Sequence, residues 1–209
     1  MKQKSSHKKI KPQWIIGVDE VGRGPLAGPV TVCAFAIPSA DWKKFNQYGR
    51  KHGLTDSKKL TPEKREKWSA YFKQQQKNKK VIFCISSATA ATIDSKGISK
   101  VIESLVERSL TKLQIDSALA EVKLDGSLKA PEIFTNQETI IKGDAKHMAI
   151  AAASVAAKVY RDNYMKLQAR KYPVYGFDIH KGYGTKKHRL AIATQGFCPL
   201  HRRTFCKNC

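Results

Sequence analysis

Short apolar runs and longer amphipathic segments alternate along the 209-residue chain. The apolar runs predict strands at residues 15–18, 30–37, 81–86, 118–124 and 139–142. Apolar positions at helical spacing and proline punctuation predict helices at 62–75, 98–114, 147–170 and 186–194. Strands and helices therefore alternate, which is typical of an α/β domain. An early hairpin through the Gly22–Gly28 turn favours a mixed sheet, and the C-terminal third is expected to be helix and loop.

The pattern predicts one domain with short polar ends. Residues 1–13 contain five lysines and no apolar run, so we expect a basic flexible arm, although a tail that only aids solubility is the simpler alternative. Residues 14–205 form the expected single domain, including its helical C-terminal part. Residues 206–209 form a short tail that contains cysteine.

Charge changes this picture by pointing to a polyanionic partner. The chain has 39 Lys and Arg against 17 Asp and Glu, a net charge of +22. Such an excess favours nucleic acid, because Lys and Arg contacts to phosphates release condensed counterions. A membrane protein is not expected, since no apolar segment reaches the roughly 18 residues that span a bilayer. No signal peptide is recognisable behind the basic start, so we expect a cytoplasmic protein.

The five cysteines fit that compartment. An odd number of cysteines in a chain of this size favours reduced thiols over a disulfide framework. Cys198-x-x-His201 and Cys206-x-x-Cys209 have zinc-like spacing. The chain ends at the last of these, so reduced thiols remain the preferred interpretation and structural zinc the alternative.

Four carboxylates stand where predicted strands end. Asp19 and Glu20 follow the first apolar run, Asp125 precedes Gly126 after another, and Asp144 follows a strand and a glycine. Sites in α/β sheets are usually built at such strand ends. Consecutive strand residues point to opposite faces, so Asp19 and Glu20 can share a site only if the strand ends or bends beside them.

Carboxylates that converge without Cys or His suit hard, oxygen-preferring cations, namely Mg²⁺ or Mn²⁺. Two such ions about 4 Å apart can activate water and stabilise the leaving oxygen in phosphodiester hydrolysis. Simpler roles stay open at this point. Asp144 could cap the next helix, Asp125 could be a turn residue, and the Asp19-Glu20 pair could lie in a solvated loop.

Several motifs, in one order, resemble the bacterial ribonuclease HII family. These are Asp19-Glu20-Val21-Gly22-Arg23-Gly24-Pro25, Asp56-Ser57-Lys58-Lys59-Leu60, Lys142-Gly143-Asp144-Ala145, Ala151–Val159 with Arg161-Asp162, His180-Lys181-Gly182-Tyr183-Gly184-Thr185 and His201-Arg202-Arg203-Thr204-Phe205. The resemblance covers about residues 14–205. It implies the ribonuclease H-like fold, a mixed sheet flanked by helices with a helical C-terminal extension.

The resemblance also implies an activity. Family members cut the RNA strand of RNA–DNA hybrids and cut at ribonucleotides embedded in duplex DNA, leaving 3′-hydroxyl and 5′-phosphate ends. It implies that Asp19, Glu20, Asp125 and Asp144 are the catalytic carboxylates and hold two Mg²⁺ or Mn²⁺ ions.

Substrate-binding roles are implied in the same way. The Gly22-Arg23-Gly24 turn resembles the family's ribose sensor, and Tyr183 matches a tyrosine that stacks on the sugar at the RNA–DNA junction. Without the resemblance, Tyr183 would be interpreted as a half-buried loop aromatic. Candidate contacts to the nucleic-acid backbone are Lys58, Lys59, Lys146, Lys158, Arg161 and Lys181. Asp162 is four residues from Lys158, which fits a surface ion pair outside the site.

Two features bear on the subtype and one on the packing. Ribonuclease HIII usually has Glu where Asp144 stands and lacks the arginine of the glycine turn, so both positions favour HII. The Gly97-Ile98-Ser99 stretch lacks the expected Asn-Ile pattern, from which we expect an effect on packing.

RNA–DNA hybrids and ribonucleotide-containing duplexes are the expected partners of a monomer, and a replication-clamp contact is left open. A basic nucleic-acid-binding protein without catalysis is the competing class.

Overall fold

A five-stranded mixed sheet forms the centre of the molecule in a computed structural model that describes residues 11–207. The strands are β1 (Trp14–Val21), β2 (Val30–Pro38), β3 (Ile82–Ala88), β4 (Ala120–Asp125) and β5 (Gln137–Ile140). Their spatial order is β3-β2-β1-β4-β5. β2 runs antiparallel to both β1 and β3, whereas β4 is parallel to both β1 and β5. The predicted mixed sheet is confirmed.

Helices connect and cover these strands. They are α1 (Trp42–Lys51), α2 (Pro62–Lys77), α3 (Ala90–Lys96), α4 (Ile98–Thr111), α5 (Gly143–Lys146), α6 (Met148–Lys171), α7 (Phe177–His180) and α8 (Lys186–Gln195). α2 begins as its sequence predicts, because the Thr61 side chain accepts a hydrogen bond from the Lys64 amide and Pro62 occupies the first helical position.

The two faces of the sheet carry separate cores. The small residues 149–157 of α6 pack with Phe35 and Ile37 of β2 on one face. α4 covers the other face, where Val101, Leu105 and their neighbours meet the opposite side of β1, β2 and β4. α6 approaches β1 so closely that a Cβ on Gly17 would lie 2.0 Å from the Ala149 carbonyl carbon. This contact explains the glycine and fixes α6 behind β1.

Most predicted elements are confirmed, with shifted boundaries. β5 begins at Gln137, two residues before the predicted start, and ends at Ile140. α4 ends at Thr111 instead of residue 114. The prediction missed α1, α3 and the short helices α5 and α7. α1 is mostly polar, yet Trp42, Phe45 and Tyr48 recur every three residues, a helical spacing that could have predicted it.

Both chain ends were predicted to be separate segments. Only residues 11–13 of the predicted arm (1–13) lie within the described residues, and Gln13 already joins the fold. Its amide donates to the Leu119 carbonyl at 2.8 Å, and its carbonyl accepts from the Ser39 amide at 2.8 Å. Of the tail at 206–209, Cys206 and Lys207 are described. No helix within residues 11–207 is long and apolar enough to cross a membrane.

Candidate active site

Asp19 and Glu20 lie where β1 has lost one of its two neighbours. The antiparallel pairing with β2 continues to Val21, whereas the parallel pairing with β4 stops at Val18. β1 therefore neither ends nor bends at the acidic pair, as sharing a site seemed to require. The sheet opens beside the pair instead. Asp19 is 5% exposed and its Oδ1 accepts a 2.7 Å bond from the Glu20 amide.

Asp125 is the last residue of β4 and faces the same opening. Its Oδ1 accepts a 2.6 Å hydrogen bond from the Gly143 amide. A side chain at Gly143 would crowd this contact, because a Cβ there would lie 2.6 Å from Ile150 Cδ1 and 3.3 Å from Asp125 Oδ1. The Asp125 carbonyl also accepts from the Leu128 amide at 3.1 Å, so Asp125 closes a turn as well.

Asp144 lies in the first turn of α5, close enough to Asp125 for their charges to interact. Neither α5 nor α6 has a side-chain cap, so the alternative of Asp144 as a helix cap is not what the structure shows. Burial and the neighbouring carboxylates of Asp56 and Asp125 raise the pKa of Asp144 to about 6, although Lys58 acts in the opposite direction. Asp56 was not predicted as a site residue, although it belongs to a quoted motif.

The pKa shifts of the acidic residues show that the four carboxylates lie close enough to repel one another. Burial raises the pKa of Asp19 well above its usual value, and the charges of Glu20, Asp125 and Asp144 raise it further. The polar side chain of Ser154 acts the other way and lowers this pKa. Burial and Asp125 raise the pKa of Glu20, which Arg23 partly offsets from 3.6 Å. Crowded carboxylates of this kind are stabilised by added positive charge.

Three of the four carboxylates share a cleft of about 300 Å³ with the glycine turn. Its lining comprises Asp19, Glu20, Val21, Gly22, Arg23, Gly24, Ser57, Lys58, Asp125, Ser154, Lys158 and Tyr183. Asp144 acts on Asp19 electrostatically without lining the cleft. No group of three or more His, Cys, Asp or Glu side chains within residues 11–207 is already arranged to hold a metal ion. The donors nevertheless fit hard divalent cations, since they are carboxylate oxygens held close against their own repulsion.

Tyr183 stands at the edge of this cleft, with 43% of its surface exposed. Its loop is attached to the glycine turn, because the Gly182 carbonyl accepts from the amides of Leu26 and Ala27 at 2.9 and 3.2 Å. Gly182 must be glycine there, since a Cβ would lie 2.2 Å from the Ala27 oxygen. The structure thus places Tyr183, Gly22, Arg23 and the acidic pair on one surface.

A chain of buried histidines supports the Tyr183 backbone from behind. The Cys198 amide donates to His201 Nδ1 at 2.9 Å, His201 Nε2 lies 3.1 Å from His188 Nε2, and His188 Nδ1 lies 2.9 Å from the Tyr183 carbonyl. A carbonyl only accepts, so His188 carries its proton on Nδ1 and His201 donates from Nε2. Burial lowers the pKa of His188 to about 4.

The same contacts bear on the zinc-like spacing of the C-terminal region. Both ring nitrogens of His201 are engaged by protein partners, which leaves no lone pair for a metal. Cys198 is a free thiol, and the buried Cys206 thiol donates to the Leu26 carbonyl at 3.9 Å. Cys209, the last residue of the pattern, lies outside the described residues.

The candidate cations divide into three groups. Lys58 and Lys158 line the cleft. Lys158 forms the expected ion pair with Asp162 at 2.8 Å, but Asp162 is buried, so the pair does not lie on the surface. Lys181 lines an adjacent depression with Lys158 and Tyr183. Lys59 and Lys146 are exposed and line neither cavity.

The prediction for Arg161 is wrong. It was predicted to contact the nucleic-acid backbone, but it is fully buried and donates to the carbonyls of Pro29 and Ala27 at 2.9 and 3.2 Å. Its position on α6 could not reveal this, because the partners are 132 and 134 residues away in sequence. Ser57, Ser154 and Arg202 were also missed as supports of the site.

Comparisons with known proteins agree with this geometry. The family model described as ribonuclease HII matches residues 16–208. Ribonuclease HII of Shouchella clausii is 43% identical over 194 residues, which cover 91% of this chain and 68% of that protein. Ribonuclease HII of Caldicellulosiruptor bescii is 40% identical over 196 residues, which cover 94% and 88% respectively.

Solved structures share the architecture. Ribonuclease H2 of Pyrococcus horikoshii OT3 has a TM-score of 0.70 at 26% identity, covering 93% of this chain and 100% of that one. The chain matched in the PCNA:RNase HII complex of Archaeoglobus fulgidus has a TM-score of 0.71 at 23% identity, covering 90% and 93%. These likenesses confirm the predicted ribonuclease H-like fold.

Proposed function

Because the chain belongs to the ribonuclease HII family and is therefore an endoribonuclease of the ribonuclease H type, we propose that it cuts both RNA–DNA hybrids and single ribonucleotides embedded in duplex DNA. The observation that carries the proposal is one cleft that holds the acidic pair, Asp125, the glycine turn and Tyr183. The acids suit phosphodiester hydrolysis, and the turn beside them suits inspection of the ribose. A purely nucleic-acid-binding role would leave this crowding of carboxylates unexplained.

Asp19, Glu20, Asp125 and Asp144 would hold two Mg²⁺ or Mn²⁺ ions. When bound, such ions supply an activated water and stabilise the leaving oxygen. The chain's own contribution is to keep the carboxylates close. Gly143 holds Asp125 through its amide, and Ser154 lines the cleft beside Asp19. Ser154 is in turn fixed by a 2.9 Å bond to Ser57.

Substrate binding falls to the residues around the acids. Lys58 and Lys158 bring positive charge into the cleft, where phosphates of the cut strand would neutralise it. Gly24 has nothing within 4 Å of the position a Cβ would take. A sugar can therefore approach its backbone closely. Reading the 2′-hydroxyl is the means by which a protein distinguishes RNA from DNA at one site.

Tyr183 would stack on the sugar at the RNA–DNA junction. Its ring lies at the cleft edge, and its loop is hydrogen-bonded to the glycine turn. The position of the stacking ring is therefore fixed relative to the turn that would inspect the ribose. Cleavage on the 5′ side of the phosphate would leave 3′-hydroxyl and 5′-phosphate ends. A monomeric state and a contact with a replication clamp both stay predictions.

Cleavage mapping on a DNA duplex with one embedded ribonucleotide tests the proposal. The parent protein should make one cut at the ribonucleotide in Mg²⁺ or Mn²⁺. Asp125→Asn should bind the same duplex and lose cutting, because amide oxygen replaces a carboxylate of the acidic cluster. Glu132→Gln, an exposed change elsewhere, serves as the matched control. Undiminished cutting by Asp125→Asn would refute the assigned site.

A further inference from the structure

The carbonyl oxygens of the glycine turn point toward a buried arginine. Arg202 donates from Nη2 to the Gly22 carbonyl at 2.6 Å, from Nη1 to the Arg23 carbonyl at 2.9 Å and from Nε to the Gly28 carbonyl at 3.0 Å. One guanidinium thus engages three carbonyls, which its rigid fork of donors allows. The front of the turn lines the acidic cleft, so Arg202 holds it from behind.

A second buried arginine completes the same support. Arg161 donates from Nε to the Pro29 carbonyl and from Nη2 to the Ala27 carbonyl. Both Arg161 and Arg202 are 0% exposed. Within residues 11–207, neither forms an ion pair with a carboxylate within 4.0 Å. Burial of two unpaired cations is costly, so the arrangement calls for a reason beyond packing.

The inward carbonyls determine where the amides of the turn point. Across a trans peptide, the N–H of one residue points opposite to the C=O of the residue before it. Because the Gly22 and Arg23 carbonyls point to Arg202, the N–H groups of Arg23 and Gly24 point away from it, toward the cleft. Neither of these N–H groups has an acceptor within residues 11–207.

We propose that Arg161 and Arg202 are positioning residues for substrate discrimination. They hold five carbonyls at the two ends of the turn inward, at residues 22–23 and 27–29. The amides of Arg23 and Gly24 thereby present two unpaired donors to the ribose-phosphate backbone beside the carboxylates. The inference rests on the proposed function, since it names how that site distinguishes a ribonucleotide. Two buried cations behind the turn also favour an anionic ligand in front of it.

The glycines of the turn fall into two groups, those that contact the helix behind the turn and one that faces open space. Gly22 has φ +90°, and a Cβ there would lie 2.3 Å from Arg161 Nε. Gly28 has φ +89°, and a Cβ there would lie 2.4 Å from Met165 Sδ. Gly24 has neither constraint. Gly22 and Gly28 therefore serve the contact with the helix behind, and Gly24 keeps the front of the turn open for a ligand.

Lysine substitutions test the inference. Arg202→Lys and Arg161→Lys keep the positive charge but lose the fork, so the carbonyls can turn. The rates to compare are kcat/KM on a duplex with one ribonucleotide and on a continuous RNA–DNA hybrid. Each variant should lower the ratio of single-ribonucleotide to hybrid cleavage by about tenfold or more, because donors fixed in place are lost. Arg170→Lys is the control, an exposed arginine on the same helix.

A ratio within twofold of the parent in both variants would overturn the inference, as would an equal loss on both substrates. If the parent itself cuts no ribonucleotide-containing duplex, the proposed function fails instead, so the two failures are distinguishable.

A second measurement needs no substitution that might unfold the protein. Amide hydrogen exchange of the intact parent should show fast exchange at Arg23 and Gly24, since their N–H groups lack acceptors. Both amides should become protected by a duplex with one ribonucleotide, in the absence of divalent metal so that no cutting occurs. Protection of both amides already in the free protein, or no protection on binding, would overturn the inference.

Discussion

The two halves of the cleft are built in opposite ways. On the acidic side, Asp19, Glu20, Asp125 and Asp144 repel one another, and burial with that repulsion raises the pKa of three of them. On the side of the glycine turn, two buried arginines engage five carbonyls. The acidic side is thus stabilised only by bound cations, whereas the hydrogen bonds that hold the turn form without any ligand.

This difference separates the sources of stability and function. Residues of the acidic side cost folding free energy and are expected to contribute to chemistry. Residues behind the turn stabilise the fold and act on the substrate only through the backbone they hold. Substitutions on the two sides should therefore move stability and cleavage in different combinations.

The largest effect is expected at Asp19. Asp19→Asn should lower cleavage by about 10³-fold or more, because a metal-binding carboxylate is lost. In the absence of divalent metal, the same change should raise the free energy of unfolding by about 1 kcal/mol, since a buried and repelled charge is removed. Cleavage assays and denaturant unfolding in EDTA measure the two effects. A destabilised Asp19→Asn protein would contradict the description of the acidic side.

Glu103→Gln is the matched control, an exposed carboxylate on α4. It should leave both cleavage and unfolding near the parent values, because surface substitutions are usually within about 0.5 kcal/mol.

The next effect compares two glycines of one turn. Gly22→Ala should destabilise the protein by about 2 kcal/mol or more, because its φ of +90° and the Arg161 contact both oppose a Cβ. Gly24→Ala should change the unfolding free energy by less than about 0.5 kcal/mol, yet weaken cleavage at single ribonucleotides. Thermal unfolding and kcat/KM separate the two. Equal destabilisation by both substitutions would contradict the proposal that Gly22 has a structural role and Gly24 a ligand-facing one.

The smallest effect concerns pH and the histidine chain behind Tyr183. His188 has a pKa of about 4 in the folded protein, below its ordinary value of 6.5. The unfolded chain therefore binds more protons between these values, so the contribution of His188 to stability is present above pH 6.5 and is lost as pH falls toward 4. Asp144, with its pKa raised to about 6, acts in the opposite direction. The comparison must therefore be between variants.

His188→Gln removes that titration and keeps a side chain that can hydrogen-bond. Its melting temperature should fall less than that of the parent between pH 6.5 and 4.5. His52→Gln, at an exposed position on the surface, should follow the parent curve. If His188→Gln and the parent lose stability in parallel, the histidine chain carries no charge-linked stability.

The sequence predicted the acidic side better than the turn. Strand ends and the rarity of acids marked Asp19, Glu20, Asp125 and Asp144, because the information is local to each strand. It could not show how the pair at the end of β1 shares a site. The answer is that β4 stops pairing at Val18, which depends on the register of a strand about 100 residues away.

The support of the turn was hidden for the same reason. Arg161 and Arg202 look like ordinary basic residues in a chain of net charge +22. Only the fold brings them behind residues 22–29, where their hydrogen bonds go to backbone carbonyls. Backbone contacts leave no residue pattern at the contacted positions apart from the glycines themselves. The sequence therefore marked Gly22-Arg23-Gly24 and missed what holds it.

The central claim is that the acidic side needs bound cations to be stable, whereas the glycine turn does not. Melting curves with increasing Mn²⁺ and no nucleic acid test it most directly. The melting temperature of the parent should rise with Mn²⁺ concentration, because cations relieve the repulsion among the four carboxylates and bind only the folded state. Asp125→Asn should show little of this rise, whereas Arg202→Lys should retain it. A parent that does not respond to Mn²⁺, or an Asp125→Asn protein that responds as strongly as the parent, would contradict the account.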